Sequence, residues 1–348
     1  MEHTRHRRRW PWRLLWLLAV VPVVAGAGVS ARDHGGRLVT LDAPARRIVT
    51  LAPHLTELVF AAGAGAFLVG TVEHSDYPPP ARRLPRVGGA GGLDLEALVA
   101  LRPDLVAVWP PGLPPGQEAR LESLGVTLFR SEPRDFEDIA RDLEALGRLA
   151  GTPAPARAAA EKLRARVAAL RRQHAGRRPV RVFYQLWDQP LMTVGGGQFI
   201  SRVLELCGAE NVFADLAAPA PVVEREAVLA ARPEAILAAA APERWAGWRA
   251  RWRRWPALPA VRNGHLYRVA PDLLQRPGPR LVDGAEAVCR RLARVRREDA
   301  AAKTAARPTD MKKDSVGAVP APDHPARPGQ FDGGDGGGPV PWHRFSRK

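Results

Sequence analysis

The stretches EALVALRPD at residues 96–104 and EAVLAARPE at residues 226–234 repeat one pattern at a constant offset of 130 residues. Each stretch predicts a short apolar helix that has a glutamate in its first turn and is ended by a proline. An apolar strand follows directly, at residues 105–108 and 235–237. A repeat of this kind predicts that the chain contains two related halves.

Around the first copy, short apolar strands alternate with amphipathic helices, and around the second copy the same alternation resumes at residues 180–186. In the first half, Thr56 is the expected cap of the first helix. The alternation predicts parallel sheets with helices on both faces. The predicted strands are 47–51, 68–72, 105–108 and 126–129, and the predicted helices are 56–62, 94–101 and 117–124.

Between the two halves, residues 136–174 are almost entirely helical, with one break at 151–155. Residues 156–170 are strong helix formers without glycine or proline, and a single helix that continues to His174 would span about 30 Å. The sequence therefore predicts an α/β protein with two related Rossmann-like lobes, each with a parallel sheet, joined by one long rigid α-helix. Such a fold places a ligand cleft between the lobes, at the carboxyl ends of the strands.

The two ends of the chain differ from this body. Residues 1–31 combine five arginines, an apolar run at 14–24 and small residues before two candidate cleavage sites, after Ala27 and after Ala31, which is typical of a signal peptide. The apolar run is short for a membrane span, and an uncleaved anchor helix is the alternative. No cysteine lies near the cleavage sites, so we expect no lipid anchor and a soluble periplasmic protein.

Five segments are expected in all. They are a signal peptide at 1–31, an N-terminal α/β lobe at 32–150, a backbone helix at 151–178, a C-terminal α/β lobe at 179–298 and a disordered Pro/Gly-rich tail at 299–348.

The distribution of charge and the absence of catalytic motifs argue against nucleic-acid binding and enzymatic activity. The 52 Lys and Arg residues exceed the 36 Asp and Glu residues, but they are spread along the helices, which does not favour nucleic-acid binding. No catalytic serine, zinc, phosphate-loop or dinucleotide motif follows a predicted strand, so the sequence favours a binding protein over an enzyme. Trp245, Trp248 and Trp252 recur at helical spacing and predict a helix packed on the sheet, with a membrane-surface helix as the alternative.

Cys207 and Cys289 are the two cysteines of the chain. In an oxidising compartment, two cysteines in one soluble domain are expected to form a disulfide. A reactive thiol pair is the alternative, although no redox motif surrounds either residue.

Three strings carry a family resemblance: RIVTLAPHLTELVFAAGA at 47–64, SDYPP at 75–79 and LDLEALVALRPDLV at 93–106. They resemble the class III periplasmic substrate-binding proteins of ABC importers, and the resemblance continues through VLELCGAENVF at 203–213 to about residue 294. It implies a monomer that binds a small molecule between two lobes and delivers it to an inner-membrane permease dimer. The ligands of this family are cobalamin, haem and iron–siderophore complexes.

Within this family the resemblance is nearest to members that bind corrinoids, which implies cobalamin or a precursor as ligand, with haem or an iron–siderophore complex as alternatives. Ala90 and Ala220 stand where those members have tryptophans, which implies a wider cleft. Trp187 follows a predicted strand and is expected to supply a replacement aromatic plane. The ligand-binding residues implied or expected are His74, Trp109, Trp187, Met192, Asp272 and Arg276.

Glu96 and Glu226 occupy the same position in the two copies of the repeat. The resemblance implies that one glutamate on each lobe pairs with arginines of the permease, so that these two residues dock the protein. The alternative is that each carboxylate only complements a helix dipole. A bare metal site is not expected, because no third histidine joins His54 and His74 in the equivalent loops of the other lobe.

Overall fold

The structure is a computed structural model that describes residues 28–89 and 91–305. Most of the predicted signal peptide and the predicted tail beyond residue 305 lie outside the described residues. Within them, helices and parallel strands alternate on both sides of a long helix. The predicted fold class, an α/β protein with two lobes and a connecting helix, is confirmed.

The first lobe begins with an antiparallel hairpin and continues into a four-stranded parallel sheet. The strands are β1 (Val29–Arg32), β2 (Leu38–Leu41), β3 (Ile48–Thr50), β4 (Leu68–Gly70), β5 (Gly88–Gly89), β6 (Gly92–Leu93), β7 (Leu105–Val108) and β8 (Leu128–Arg130). The helices are α1 (Pro53–Ala61), α2 (Leu95–Ala100), α3 (Gln117–Ser123) and α4 (Phe136–Leu149). The order in the sheet is β4-β3-β7-β8 with all neighbours parallel, so the four strands end at one edge.

One helix, α5 (Pro153–His174), follows α4 and connects the lobes. Gly151 has a φ of 71°, which ends α4, and Pro153 starts α5 at its first position. The two helices pack closely, since a β-carbon on Gly147 would lie 2.1 Å from the Ala156 side chain. The buried side of α5 recurs every three or four residues, as an apolar stripe requires: Ala156, Ala160, Leu163, Val167 and Leu170.

The second lobe repeats the topology of the first. Its strands are β9 (Val180–Gln185), β10 (Ala209–Asn211), β11 (Ala235–Ala239) and β12 (Leu266–Val269). Its helices are α6 (Phe199–Leu206), α7 (Arg225–Ala231), α8 (Pro242–Arg253), α9 (Pro259–Arg262), α10 (Pro271–Leu274) and α11 (Leu281–Ala305). The order β10-β9-β11-β12 is parallel throughout and equals the order of the first sheet once the strands are counted within each lobe.

In each lobe, the same hydrogen bonds join the repeat to the start of the first strand of the sheet. In the first lobe, Asp104 accepts a hydrogen bond from the amide of Arg47 at 2.8 Å, and the Arg47 side chain donates to the carbonyl that follows α2. In the second lobe, Glu234 accepts from the amide of Arg181 at 2.9 Å, and the Arg181 side chain donates to the last carbonyl of α7. The acid at the end of each copy therefore fixes its helix to the first strand of its own sheet.

Two further predictions about the second lobe are confirmed. Cys207 at the end of α6 and Cys289 in α11 form a buried disulfide across a separation of 82 residues. Trp248 and Trp252 of α8 are buried in the core, where both indole groups donate to Gln185 Oε1 at 2.8 Å. Their burial supports the packed helix rather than the membrane-surface helix. Among the helices of residues 28–89 and 91–305, none is both long enough and apolar enough to cross a bilayer.

The structure corrects the predicted start of α1. The helix begins at Pro53, because proline suits the first helical position, and Thr56 is therefore not the cap. Instead Thr56 lies inside the helix, and its hydroxyl is 2.7 Å from the hydroxyls of both Thr50 and Thr71. This buried cluster fastens α1 to the carboxyl ends of β3 and β4.

Two segment boundaries also differ from the predictions. The α11 helix continues to Ala305, past the expected start of the tail at residue 299, because EDAAAKTA at 298–305 contains mostly good helix formers. At the other end, residues 29–31 belong to the predicted signal peptide. They form most of β1, pair with β2 and bury Ala31.

Candidate functional site

A cleft of about 430 Å³ lies between the lobes, at the carboxyl edges of the two sheets. The first lobe contributes segments that follow β7 and β8, and the second lobe contributes the segment after β9, the start of α6 and the loop after α10. We call this space the interlobe cleft. Its walls include Trp109, Pro111, Glu132, Arg134, Leu186, Phe199, Ile200, Pro219, Ala220 and Gln275.

Trp109 is the aromatic wall that the first lobe supplies. It follows β7 directly, and its indole meets the edge of the His54 ring at a centroid distance of 5.7 Å. Gly112 turns the chain back over the indole, where a β-carbon would lie 2.4 Å from the ring. These two neighbours hold Trp109 in place while part of its surface stays open to the cleft.

Phe199 is the aromatic wall of the second lobe. It is the first residue of α6, and the Gln198 side chain caps that helix by accepting from the amide of Ile200. Glycine is required at position 195, since a β-carbon there would lie 2.3 Å from two carbonyl oxygens. One aromatic side chain from each lobe thus borders the interlobe cleft, a surface suited to a flat and partly apolar ligand.

A second space of about 480 Å³ lies within the second lobe, at the carboxyl ends of β9 and β11. We call it the lateral chamber. It shares Leu186 and Gln275 with the interlobe cleft, so the two spaces adjoin. Its other walls include Trp187, Asp188, residues 238–241, Glu243, Arg244, Trp248 and Arg251.

A buried carboxylate joins the lobes beside the interlobe cleft. Glu57 of α1 has a side chain that is only 3% exposed, and Arg280 of the second lobe binds both of its oxygens at 2.6 and 2.8 Å. The Arg280 guanidinium also lies 3.9 Å from the centre of the Tyr77 ring. A buried charge is stable only when it is paired and hydrogen-bonded, so this pair fixes the spacing of the lobes at this point.

Arg276 also binds Glu57 and adds two further carboxylates to this cluster. Its guanidinium lies 3.4 Å from Glu57, 3.0 Å from Asp76 and 3.1 Å from Asp272. Partial burial opposes ionisation of Asp76, but the hydrogen bond and charge of Arg276 outweigh it and lower the pKa of that carboxyl. The structure therefore brings the predicted pair Asp272 and Arg276 together, and binds Arg276 to the first lobe.

His54 lies behind Trp109 and is fully enclosed. Desolvation by burial, and then the charge of Arg276, lower the pKa of His54 from 6.5 to about 3, so the ring is neutral. Its Nε2 atom has no hydrogen-bond partner within the described chain. No group of three or more histidine, cysteine or acidic side chains in residues 28–89 and 91–305 has the arrangement of a metal site.

The remaining predicted ligand residues do not all meet at one place. Trp187 lines the lateral chamber rather than the interlobe cleft, because the chain turns after β9 into a hairpin in which Trp187 pairs with Met192. Met192 also bridges to Val222, and it lines neither space. His74 is exposed in the loop after β4, with a φ of 62°. Ala220 lines the interlobe cleft, and Ala90 lies outside the described residues.

The two glutamates proposed for docking lie in the first turns of α2 and α7. Both side chains are exposed, and within the described residues neither takes part in an ion pair or hydrogen bond. In α2 the helix start is capped by Asp94 instead, whose side chain accepts from the amide of Ala97. Glu96 and Glu226 therefore lie at the surface of the described part of the chain.

Sequence reasoning missed several residues of this region. Phe199 lies two residues after the glycine run 195–197, which carries no binding motif that would single out its neighbours. Glu57 and Arg280 carry no local signal, because they meet across more than 220 residues of chain. Glu132, Arg134 and Gln275 follow β8 and α10 and could have been found by noting every polar residue after a strand or cleft loop.

Known proteins resemble this chain in sequence and in fold. The Vitamin B12-binding protein of Vibrio cholerae serotype O1 is 41% identical over 247 residues, 71% of this chain and 88% of that protein. The crystal structure of the periplasmic vitamin B12 binding protein BtuF of Vibrio cholerae has a TM-score of 0.68 and 40% identity, covering 73% of this chain and 98% of that one.

A periplasmic haem binding protein from Pseudomonas aeruginosa has a TM-score of 0.62 and 28% identity, covering 70% of this chain and 91% of that one. The sequence profile described as "Periplasmic binding protein" matches residues 48–273, more than half of the chain. The chain therefore belongs to the periplasmic binding protein family.

Proposed function

We propose that this chain is the periplasmic solute-binding component of an ABC importer. It captures a corrinoid, cobalamin or a precursor, between its lobes and delivers it to the membrane permease. The observation that carries the proposal is the 41% identity to a protein named for vitamin B12 binding. The chain acts as a monomeric binding protein and not as an enzyme.

The interlobe cleft offers the chemistry that a corrinoid needs. A corrin ring is flat and partly apolar, and its rim carries amide side chains. Trp109 and Phe199 supply aromatic surface from opposite lobes, and desolvation of such faces stabilises binding at about 25 cal/mol per Å². Glu132, Arg134 and Gln275 supply polar groups for the amides. Ala220 leaves space where the resemblance implies a tryptophan, so the affinity rests mainly on these walls.

The proposed function requires that the chain is exported to the periplasm. The arginine-rich, apolar N-terminus acts as a cleaved signal peptide that delivers the chain to the periplasm. The disulfide between Cys207 and Cys289 is consistent with an oxidising compartment.

Haem is the second candidate ligand. It is supported by the similarity to a haem binding protein, and His74, which is exposed, is the side chain proposed to approach a ligand with an open axial position. An iron–siderophore complex is the remaining member of this class.

Co-elution distinguishes these candidates. The periplasmic protein is mixed in turn with cyanocobalamin, haemin and a ferric siderophore and passed over a gel-filtration column, and each chromophore is followed in the protein peak. We expect cyanocobalamin to elute with the protein at a ratio of about one to one, as a single cleft allows. Elution of haemin alone would replace the corrinoid by haem.

A further inference from the structure

We propose that the lateral chamber is a second ligand compartment, which takes the phosphodiester-linked aromatic base of a complete corrinoid. This inference rests on the proposed function and names which corrinoid the chain prefers. Complete cobalamin carries a substituted benzimidazole on a phosphoribosyl arm, whereas cobinamide lacks both the base and the arm. The lateral chamber would therefore distinguish the finished vitamin from its precursor.

The position and size of the chamber suit this role. Leu186 and Gln275 border both spaces, so the chamber adjoins the interlobe cleft. Pockets for drug-sized molecules measure about 300–1,000 Å³, and a complete corrinoid is larger than a drug-sized molecule. The interlobe cleft, at about 430 Å³, is small for the whole ligand, and the chamber adds a space of about 480 Å³.

The walls of the chamber favour a planar aromatic group. Trp187 is 56% exposed, although a large apolar side chain is usually covered, and its indole N–H is bound to the carbonyl of Gln189 at 3.1 Å. The ring is thus held in one orientation with surface to offer. Four alanines at 238–241 line the same chamber, and their small side chains leave room for a ligand.

The rim of the chamber is suited to a phosphodiester. Arg251 is neutralised by Asp188 at 2.8 Å, but Arg244 is exposed and takes part in no ion pair within the described residues. Arginine binds phosphate oxygens through two parallel hydrogen bonds. An aromatic wall beside a free arginine matches a base attached to a phosphate better than it matches a plain amide side chain.

The test compares cyanocobalamin with dicyanocobinamide by titration calorimetry on the full periplasmic chain. Ala240→Phe fills the chamber, and Ala246→Phe, at an exposed position of α8 outside the chamber, is the matched control. Thermal melts establish that both variants fold. We expect the unsubstituted chain to bind cyanocobalamin at least tenfold more tightly than dicyanocobinamide. A240F should remove this preference and leave cobinamide affinity unchanged, while A246F should behave like the unsubstituted chain. Arg244→Ala should weaken cyanocobalamin alone.

Equal affinity for both corrinoids in the unsubstituted chain would overturn the inference, while the corrinoid function would stand. Equal weakening of both ligands by A240F would overturn it in the same way. If neither corrinoid binds, the inference and the proposed function fail together.

Discussion

The proposed role of Trp109 in ligand binding depends on the residues around it as much as on the indole itself. Its indole is usable because His54 meets one edge and Gly112 lets the chain turn over the ring. Opposite, Ala220 gives the cleft room but no aromatic surface. The contact that Trp109 makes should therefore account for a large part of the ligand affinity.

We expect Trp109→Ala to weaken cyanocobalamin binding at least tenfold. If about 100 Å² of the indole covers the ligand, its loss removes about 2.5 kcal/mol. Trp255→Ala is the matched control, since Trp255 is partly buried in the second lobe's core away from the cleft. Titration calorimetry on both variants provides the measurement. Similar affinity losses in the two variants would mean that Trp109 acts through stability and not through ligand contact.

The buried carboxyl of Asp142 should make the free energy of unfolding depend on pH. Burial, only partly offset by the hydrogen bond from Ser131, raises the pKa of Asp142 from 3.8 to about 7. Between pH 3.8 and about pH 7, the folded chain keeps a proton on Asp142 that the unfolded chain has lost. The free energy of unfolding therefore falls as the pH rises. His54 has the opposite effect, because its pKa falls from 6.5 to about 3 and stability rises with pH over that range.

The substitution Asp142→Asn removes the pH dependence that is due to Asp142 and keeps the one that is due to His54. Relative to the unsubstituted chain, the free energy of unfolding of D142N should rise by about 1.4 kcal/mol per pH unit between about pH 4.5 and 6.5. Urea titrations across this range measure it. Asp215→Asn, at an exposed position, is the control and should run parallel to the unsubstituted chain. A parallel profile for D142N would contradict the raised pKa.

Among the secondary-structure elements, α2 and α7 show most clearly that the sequence repeat gives equivalent structure in the two lobes. Each runs back toward the strand that follows it, which places its N-terminus near the carboxyl edge of its sheet, where the cleft opens. Glu96 and Glu226 thus project at equivalent places on two similar lobes, a geometry that fits a two-fold symmetric permease.

We expect Glu96→Ala combined with Glu226→Ala to abolish ligand uptake by cells and leave ligand affinity unchanged, because neither side chain lines the cleft or the chamber. Uptake of labelled cobalamin and calorimetry on the purified variant provide the two measurements. Replacement of Glu161 and Glu210, exposed glutamates elsewhere on the chain, serves as control. Normal uptake in the E96A/E226A variant would refute the docking role.

The hairpin of β1 and β2 selects between the two cleavage sites. Cleavage after Ala31 would remove three of the four residues of β1, including buried Ala31, whereas cleavage after Ala27 leaves the strand whole. We expect mass spectrometry of the periplasmic protein to find Gly28 at the N-terminus. A mature chain that begins at Arg32 would contradict this expectation.

At the scale of the whole molecule, the two lobes and their connecting helix were predictable because each depends on local periodicity. Strand and helix spacing, the repeat and the run of helix formers at 156–170 are all visible within short windows. The set of side chains that line the cleft was less predictable. Trp187 follows a strand as Trp109 does, yet a hairpin turns it toward the lateral chamber.

The ion pairs between the lobes had no signal in the sequence at all. Glu57 meets Arg276 and Arg280 only once both lobes have folded and packed. Together with α5, this buried cluster restrains the lobes at two places, so ligand binding should change the shape of the protein little. The cleft is thus largely formed before the ligand arrives.

Titration calorimetry of the periplasmic chain with cyanocobalamin at pH 7 is the decisive measurement for corrinoid binding. We expect one site and a Kd below about 10 µM, which corresponds to about −7 kcal/mol. The absence of binding at this level, with haemin or a ferric siderophore binding instead, would contradict the corrinoid function.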